Sequence, residues 1–307
     1  MQLTSFLGSL NSYSALAVVT RLHYKGFTAI LDYVKPSVTT PNDLGEYKAV
    51  MHDTFDQLNN ITPPTRSIAL RYSTFFSAED PVKEMHNMIK RFCAIDNASI
   101  KHVFLESESP DTRDKEKAVH AALMARLRND DGVCESKAVV YKTIQAYRRD
   151  ALKDVNDTLN DAEFMARAYG LHSGIKLVRG SYWSPQNAHV FHATANDTAE
   201  CYDSASDYII EAFDGIPKFW LCVATHNENS VNSALNSIWT SAKNKQRISF
   251  AQMSGMGDKL SYMTRDLGFE TFKYVPIFNE LHCGVSPPRD EAPYTCSDSF
   301  EHTLRWN

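Results

Sequence analysis

Residues 175–183 read IKLVRGSYW, and this stretch changes character halfway along its length. It opens as a short apolar strand in which two cations, Lys176 and Arg179, flank two apolar residues. A glycine and two aromatic residues follow, where a strand would give way to a loop, and glycine lets a ligand approach the backbone closely. These features suit a ligand that is anionic in one part and planar in another, such as a flavin dinucleotide. The alternative is a core strand with solvated charges at its rim.

Length and composition bound the class of protein. The chain has 307 residues, of which 43% are hydrophobic, and a formal net charge of −5. This is enough apolar material for a sizeable core, and α/β barrels of this length form single domains. The mild acidity lacks the basic footprint of a nucleic-acid-binding protein, so we expect no nucleic-acid partner. Six cysteines without a CxxC pair or zinc-ligand spacing predict reduced thiols of an intracellular protein.

The N-terminal segment, residues 1–26, carries a weak targeting signal. Residues 1–20 are uncharged and rich in serine, and their apolar run is too short to span a bilayer. No cationic region precedes that run, so we do not expect a secretory leader. Arg21 and Lys25 come before the first acid, Asp32, which is a weak feature of an organelle transit peptide. A truncated start is the alternative.

Strand-like and helix-like patterns alternate along the rest of the chain. Apolar and β-branched residues, typical of strands covered on both faces, predict eight strands at 27–33, 67–73, 102–108, 139–147, 175–183, 219–227, 247–254 and 269–277. Apolar stripes with helical spacing lie between them at 82–92, 119–127, 152–162, 202–212 and 231–238. The first stripe follows Asp80-Pro81, a favourable helix start, and the last begins at Asn229 or Ser230.

This alternation predicts a parallel sheet. Eight strands favour a closed (β/α)8 TIM-type barrel over residues 27–276, and an open doubly wound sheet is the alternative. Polar side chains gather at the carboxyl ends of the predicted strands, which in a barrel enzyme face one common pocket. They are Asp32, Arg71, Glu106, Glu108, Gln145, Lys176, Arg179, Thr225, His226, Asn227, Gln252, Lys273 and Tyr274.

Each polar group at these ends has a functional and a structural interpretation. Thr225, His226 and Asn227 offer a hydroxyl, an imidazole and an amide in a row, or they form a turn. Gln145 and Gln252 sit among apolar neighbours, where a buried amide must be satisfied. The edge of a ligand ring with alternating donors and acceptors would satisfy them, and so would neighbouring backbone groups.

Two carboxylates, Glu106 and Glu108, fall on the same face of a strand because side chains alternate with period two. Such a pair could do acid–base chemistry, or one member could pair with a basic residue on an adjacent strand, such as Arg71. The eleven histidines show no HExxH pattern, so a hydrolytic metal site lacks support. No GxGxxG or Walker A pattern occurs, so a dinucleotide would have to bind in another way.

Five motifs in order resemble the successive signatures of the proline dehydrogenase family. They are QAY at 145–147, KLVRGSYW at 176–183, ATHN at 224–227, QMSGMGD at 252–258 and KYVP at 273–276. The resemblance runs in register from the first strand to Pro276. Lys176 and residues 192–202 look closer to the eukaryotic branch of the family than to the bacterial one. Members of this family are flavoproteins with a barrel fold that oxidise L-proline to 1-pyrroline-5-carboxylate.

The resemblance implies roles for particular residues. FAD would be held by Gln145, Val178, Arg179, Gly180, Ser181, Tyr182, Thr225, His226, Asn227 and Gln252. Lys176 would lie against the isoalloxazine and favour negative charge on the reduced ring, with Glu106 as a second catalytic residue. Leu177 and Tyr274 would form walls for the proline ring, and Arg71 stands where the family has a lysine that pairs with the substrate carboxylate. The reaction would be hydride transfer from proline to the flavin, with electrons passed to a quinone.

The chain also departs from the family pattern. The family has Asp-Ala-Glu where this chain has Glu106-Ser107-Glu108, and a change from lysine to arginine at Arg71 is not conservative at a carboxylate site. The family ends in a helix with an Arg-Arg pair that clamps the substrate carboxylate. Residues 277–307 contain no such pair, and two consecutive prolines forbid a helix around them. We therefore expect a missing or replaced last helix, an exposed apolar seam on the barrel, and weak proline turnover.

The resulting hypothesis is a FAD-dependent proline dehydrogenase on a (β/α)8 barrel, with L-proline and a quinone as partners. By resemblance it would be mitochondrial, with scope for peripheral association with a membrane. A second hypothesis is a degenerate barrel that keeps the flavin site, or only the fold, and acts as a binding or regulatory protein. A third is a metal-dependent barrel hydrolase, which would contain metal and show no flavin spectrum.

Overall fold

A computed structural model describes residues 12–34, 38–58, 67–95, 100–107, 110–128, 138–180 and 185–277. Its centre is a closed barrel of eight parallel strands in which each strand pairs with its neighbours in the sequence and β8 pairs with β1. The strands are β1 (Thr28–Tyr33), β2 (Ser67–Arg71), β3 (Lys101–Glu106), β4 (Ala138–Gln145), β5 (Ser173–Val178), β6 (Phe219–Ala224), β7 (Ile248–Met253) and β8 (Glu270–Ile277). The closed order confirms the predicted barrel and excludes the open doubly wound sheet.

Helices surround the barrel. Those in the described part of the chain are α1 (Ser12–Tyr24), α2 (Pro41–Leu58), α3 (Tyr72–Phe75), α4 (Pro81–Cys93), α5 (Arg113–Arg128), α6 (Ala151–Tyr169), α7 (Ala195–Ala212), α8 (Glu228–Ser241) and α9 (Asp258–Asp266). The apolar stripes predicted α4 to α8 and missed the other four. None of these helices is both long enough and apolar enough to cross a lipid bilayer.

Side-chain hydrogen bonds define several helix starts. The Asp80 carboxylate accepts the Lys83 amide at 2.9 Å before α4, which confirms the predicted start there. Thr194 forms a capping box with Asp197 at the start of α7. The Asn227 side chain accepts the Ser230 amide at 3.0 Å, so α8 begins at Glu228, one or two residues before the predicted start at Asn229 or Ser230.

Strand residues alternate between two environments, as the period-two geometry of a barrel requires. One set fills the barrel interior and comprises Ile30, Ala69, Phe104, Val139, Tyr141, Cys222, Ala251, Phe272 and Tyr274. The other set packs outward against the helices in two larger clusters. The phase of this alternation decides which polar residues at the strand ends face the interior.

Helix α1 packs on the junction between the first and last strands. Its residues Ala15, Val19 and Leu22 are buried in one cluster with Leu31 of β1 and Val275 of β8. The sequence predicted a targeting or truncated segment at residues 1–26. It also predicted an exposed apolar seam between the first and seventh helical layers, left by a missing last helix. In the structure α1 covers the apolar surface between β1 and β8. The seam stays a prediction, because it depends on residues 278–307. The predicted absence of a last helix falls in residues 278–307, outside the described part of the chain.

Candidate active site

A buried ion pair occupies the barrel interior at the carboxyl ends of the strands. The Lys176 ammonium lies 2.5 Å from Oε1 of Glu106, and these side chains are 7% and 11% exposed. Phenolic Tyr274 donates to the same oxygen at 2.5 Å, and the Thr143 hydroxyl donates to Oε2 at 3.3 Å. Lys176 also lies 4.6 Å from the centre of the Tyr274 ring. Four strands therefore contribute to one hydrogen-bonded cluster, which we call the Glu106 cluster.

The electrostatics keep Glu106 ionised. Burial alone would raise the pKa of this carboxyl, but the charge and hydrogen bond of Lys176, the Tyr274 hydroxyl and the charge of Arg71 lower it below its usual value. Burial and the neighbouring carboxylate raise the pKa of Tyr274 well above 10, so its hydroxyl stays protonated and donates. Glu106 thus acts as a fixed acceptor for three donors.

A second ion pair lies beside the first. Nε of Arg71 donates to Oδ1 of Asp32 at 3.2 Å, and Nη2 of Arg71 donates to Oδ2. Asp32 is 2% exposed. The sequence predicted that either Glu106 or Glu108 pairs with a basic residue such as Arg71, and Glu106 and Arg71 are register partners on β3 and β2. The structure instead bonds Glu106 to Lys176 and forks Arg71 onto Asp32, while the charge of Arg71 still acts on Glu106.

Gln145 ends β4 with one half of its amide unused. Its Nε2 donates to the Ser107 carbonyl, whereas its Oε1 is buried and has no hydrogen-bond partner. A pocket opens against this side chain between the ends of β3 and β4, and Tyr72, Arg113 and Lys142 are among its lining residues. A buried amide oxygen without a donor is an energetic cost that a bound ligand with an N–H edge would remove.

The three residues after β6 form a structured turn. The Asn227 amide donates to the Thr225 hydroxyl at 3.1 Å, and Nε2 of His226 accepts the Met253 amide at 3.0 Å. Burial lowers the pKa of His226 to about 4, with a further contribution from the charge of Lys273. The imidazole is therefore neutral at neutral pH. The turn interpretation is confirmed. The functional interpretation stays a prediction, and it is compatible with the place of these groups at the carboxyl end of the barrel.

Arg179 and Gly180 follow β5 and hold the loop in place. Nη1 of Arg179 donates to the Ser230 hydroxyl at the start of α8, at 3.0 Å. Gly180 has a φ of +131°, and a Cβ at this position would lie 2.3 Å from the Tyr147 ring. The glycine was expected to make room for a ligand. The structure shows that it makes room for Tyr147, which stacks on Phe191 with ring centres 4.3 Å apart.

Two of the predicted site residues face away from the interior. Leu177 is fully buried in the cluster between the strands and the helices, so the expectation that it walls a substrate ring is wrong. The cause is the pleat, which points Lys176 inward and therefore Leu177 outward. Gln252 also faces the helical layer, where its Oε1 accepts the Ser261 hydroxyl at 2.7 Å and its Nε2 donates to the Thr225 carbonyl at 3.3 Å. Its amide is satisfied by the protein, the second of the two predicted interpretations.

Of the remaining predicted site residues, some lie in the described part of the chain and others lie outside it. Val178 ends β5 next to Gln145 in the sheet register and is partly exposed. Ser181, Tyr182 and Glu108 lie outside the described residues. The sequence interpretation missed Thr143, whose signal was available, since it precedes Gln145 by two residues and so shares its face of β4.

Several polar groups at this end of the barrel are of the kind that a flavin dinucleotide would need. The unpaired Oε1 of Gln145, the buried cation Arg179 and the neutral His226 can serve a ligand with both a hydrogen-bonding ring edge and anionic groups. Within the described ranges, no group of three or more His, Cys, Asp or Glu side chains is arranged to hold a metal ion.

Comparison with known proteins agrees with the motifs. The family model for proline dehydrogenase matches residues 15–283 of the chain. Proline dehydrogenase 1, mitochondrial, of Arabidopsis thaliana is 30% identical over 178 residues, covering 55% of this chain and 33% of the relative. The Homo sapiens protein of the same name is 33% identical over 177 residues, covering 54% of this chain and 28% of the relative. The chain thus spans about a third of the length of the curated relatives it matches.

Solved structures show the same fold. Proline utilization A from Bdellovibrio bacteriovorus, inactivated by N-propargylglycine, superposes with a TM-score of 0.74 at 15% identity, covering 91% of this chain and 31% of that one. Proline utilization A from Corynebacterium freiburgense gives 0.75 at 14% identity, covering 98% of this chain and 31% of that one. With the barrel, the in-register motifs and the family model in agreement, the chain belongs to the proline dehydrogenase family.

Proposed function

We propose that this chain is a FAD-dependent oxidoreductase that converts L-proline to 1-pyrroline-5-carboxylate. The observation that carries the proposal is the Glu106 cluster, which fixes the buried Lys176 ammonium at the carboxyl end of a barrel of this family. In (β/α)8 enzymes this end holds the active site. The curated relatives named proline dehydrogenase supply the reaction class.

FAD, when bound, supplies the acceptor for the two electrons that leave the substrate ring. The residues that would hold it are Gln145, Val178, Arg179 and Gly180 on the strand ends, and Thr225, His226 and Asn227 after β6. Arg179 provides positive charge for anionic groups, and Gln145 provides an unsatisfied acceptor for a ring donor. Ser181 and Tyr182 remain part of the proposal from their place in the motif.

Lys176 contributes a cation at a fixed point. Glu106 accepts a hydrogen bond from the Lys176 ammonium and prevents the flexible lysine side chain from turning towards solvent. A preorganised charge in a water-poor site stabilises negative charge that develops nearby far more than it would in water. Glu106 itself is a positioning carboxylate. Its lowered pKa and its three hydrogen-bond donors keep it ionised, so it is a poor general acid and a weak general base.

Tyr274 and Arg71 complete the substrate side of the proposal. Tyr274 is held by its hydrogen bond to Glu106 and presents its ring beside Lys176. Arg71 would meet the substrate carboxylate. A quinone as electron acceptor, peripheral membrane association and a mitochondrial location are further parts of the proposal, supported by the names of the mitochondrial relatives for the location alone.

The test is a visible absorption spectrum of the FAD-loaded protein under anaerobic conditions, before and after addition of L-proline. We expect the flavin band to bleach after addition of L-proline and to stay unchanged after addition of buffer alone. Lys176→Met should bind FAD and bleach at least about tenfold more slowly, as expected for loss of one preorganised charge. A yellow protein whose band never responds to L-proline would contradict the proposed reaction and favour a flavin-binding role without catalysis.

A further inference from the structure

Among the described residues, four charged side chains that face the barrel interior at its carboxyl end form two ion pairs. Asp32 pairs with Arg71, and Glu106 pairs with Lys176. They lie on β1, β2, β3 and β5, so negative and positive charges alternate around the barrel. Across the described interior of this end, these four side chains sum to zero charge. A substrate that approaches Arg71 or Lys176 therefore meets a cation that already has a carboxylate partner.

The contact between Asp32 and Arg71 uses the side of the guanidinium best suited to a carboxylate. Nε and Nη2 form a fork that fits two carboxylate oxygens, and Asp32 occupies both positions. Asp32 is almost fully buried, and the Arg71 side chain is 15% exposed. The carboxylate of Asp32 therefore stays beside Arg71, whichever ligand approaches from the pocket.

We propose that Asp32 is a specificity-determining residue that weakens the binding of substrates with a free carboxylate. The inference rests on the proposed function, in which Arg71 meets the carboxyl group of a cyclic amino acid. A substrate carboxylate at Arg71 approaches Asp32 as well, and two like charges at one cation oppose each other. A ligand whose carboxyl group is masked as a neutral amide avoids that repulsion. Asp32 thus shifts the preference of the pocket from charged to neutral derivatives of the ring.

The experiment compares two probes that differ in one group, L-proline and L-prolinamide. Each is titrated into the FAD-loaded protein under anaerobic conditions, and its dissociation constant is taken from the rise in unfolding temperature. The test variant is Asp32→Asn, whose amide oxygen can still accept from Arg71 while the negative charge is removed. The matched control is Glu270→Gln, an inward-facing carboxylate at the opposite end of the barrel, where it accepts the Thr28 hydroxyl.

We expect Asp32→Asn to tighten L-proline binding about tenfold relative to L-prolinamide, the size of effect that one nearby like charge produces. Glu270→Gln should leave the ratio unchanged. In the double variant Asp32→Asn/Arg71→Met the gain should disappear, because the cation that both carboxylates share is gone. In steady-state assays the gain should appear in KM, with kcat little changed.

Three outcomes separate this inference from the proposed function. If both probes bind and the ratio is the same in wild type and Asp32→Asn, the inference is overturned and the proposed function stands. If the ratio shifts as expected but L-proline never bleaches the flavin, the inference holds and the proposed reaction fails. If neither probe binds the wild type or any variant, both are wrong. A misfolded Asp32→Asn would be recognised by its lost FAD, and Asp32→Ser then provides the same loss of charge.

Discussion

Lys176 and Glu106 are charged residues that depend on each other inside the barrel. Removing one partner of a buried ion pair leaves an uncompensated charge, which costs about 3–5 kcal/mol. We expect Lys176→Met to lower the free energy of unfolding by that order, and Glu106→Gln to do likewise. The double variant Lys176→Met/Glu106→Gln should recover much of the loss, since neither charge remains. Urea unfolding of all four proteins gives the coupling energy, and strictly additive losses would contradict the pairing.

The packing of the Tyr147 ring requires a glycine at position 180, after the end of β5. A Cβ there would lie 2.3 Å from the Tyr147 ring, and a φ of +131° is strained for any other residue. We expect Gly180→Ala to lower stability by more than about 2 kcal/mol, as overpacking and backbone strain combine. The control is Gly45→Ala in α2, where a Cβ has nothing within 4 Å. It should raise stability by about 0.5–1 kcal/mol, and thermal unfolding measures both changes.

The lowered pKa of His226 predicts that the stability of the folded protein depends on pH in weakly acidic solution. Its pKa is about 4 in the folded protein, lowered by burial and by Lys273, and 6.5 in the unfolded reference. Between these values the unfolded chain binds a proton that the folded chain does not, so stability falls as the pH drops from 6.5 towards 4. The loss amounts to at most about 3 kcal/mol at 1.36 kcal/mol per pKa unit.

The variant His226→Asn should show a smaller loss of stability over the same pH range. Denaturant unfolding at several pH values between 4 and 7 measures it. Partly buried His172, whose pKa is also about 4, remains in both proteins and supplies a common background. Identical pH profiles for the two proteins would show that His226 is not the group responsible.

At the scale of elements, α1 is part of the barrel's helical layer. Leu22 is 7% exposed and lies in the cluster that joins α1 to β1 and β8. We expect Leu22→Ala to cost about 2–5 kcal/mol, the usual range for a buried leucine. The control His23→Ala, on the exposed side of the same helix, should change stability by less than about 0.5 kcal/mol. Equal effects on the unfolding midpoint would mean that α1 is not packed on the barrel.

The same scale shows how far the sequence predicts elements. All eight strands and five helices were found from periodicity, because a buried parallel strand and an amphipathic helix each impose a local pattern. The predicted strands ran two or three residues too far at several carboxyl ends, as in 219–227 against Phe219–Ala224. The apolar pattern does not mark where pairing stops and a turn begins. Helix α1 was missed because residues 12–20, most of its length, carry no charge and so show little contrast between a polar and an apolar face.

At the scale of the whole molecule, bound FAD should stabilise the fold. A ligand that binds only the folded state adds stability that grows with its concentration over its dissociation constant. We expect the unfolding temperature to rise with added FAD.

In Arg179→Ala the purified protein should carry less flavin per polypeptide, measured by the ratio of visible to ultraviolet absorbance. The control Arg265→Ala removes an arginine of α9 that donates to the Lys25 carbonyl and should keep its flavin. Full occupancy in Arg179→Ala would contradict its role.

The sequence by itself determined the architecture, the end of the barrel that carries the polar groups, and the family. Each of these depends on local order along the chain: strand follows helix, a polar residue follows an apolar run, and motifs succeed one another in register. Only the tertiary structure decided which charges meet. Glu106 bonds Lys176 across 70 residues and Arg71 bonds Asp32 across 39, although Glu106 and Arg71 lie side by side in the sheet.

The same holds for Leu177, which turns away from the interior, and for Gly180, which accommodates Tyr147. The first outcome depends on the phase of the pleat in β5, and the second depends on the position of the Tyr147 ring. They arise from contacts between residues far apart in sequence, and a local pattern carries no information about such contacts.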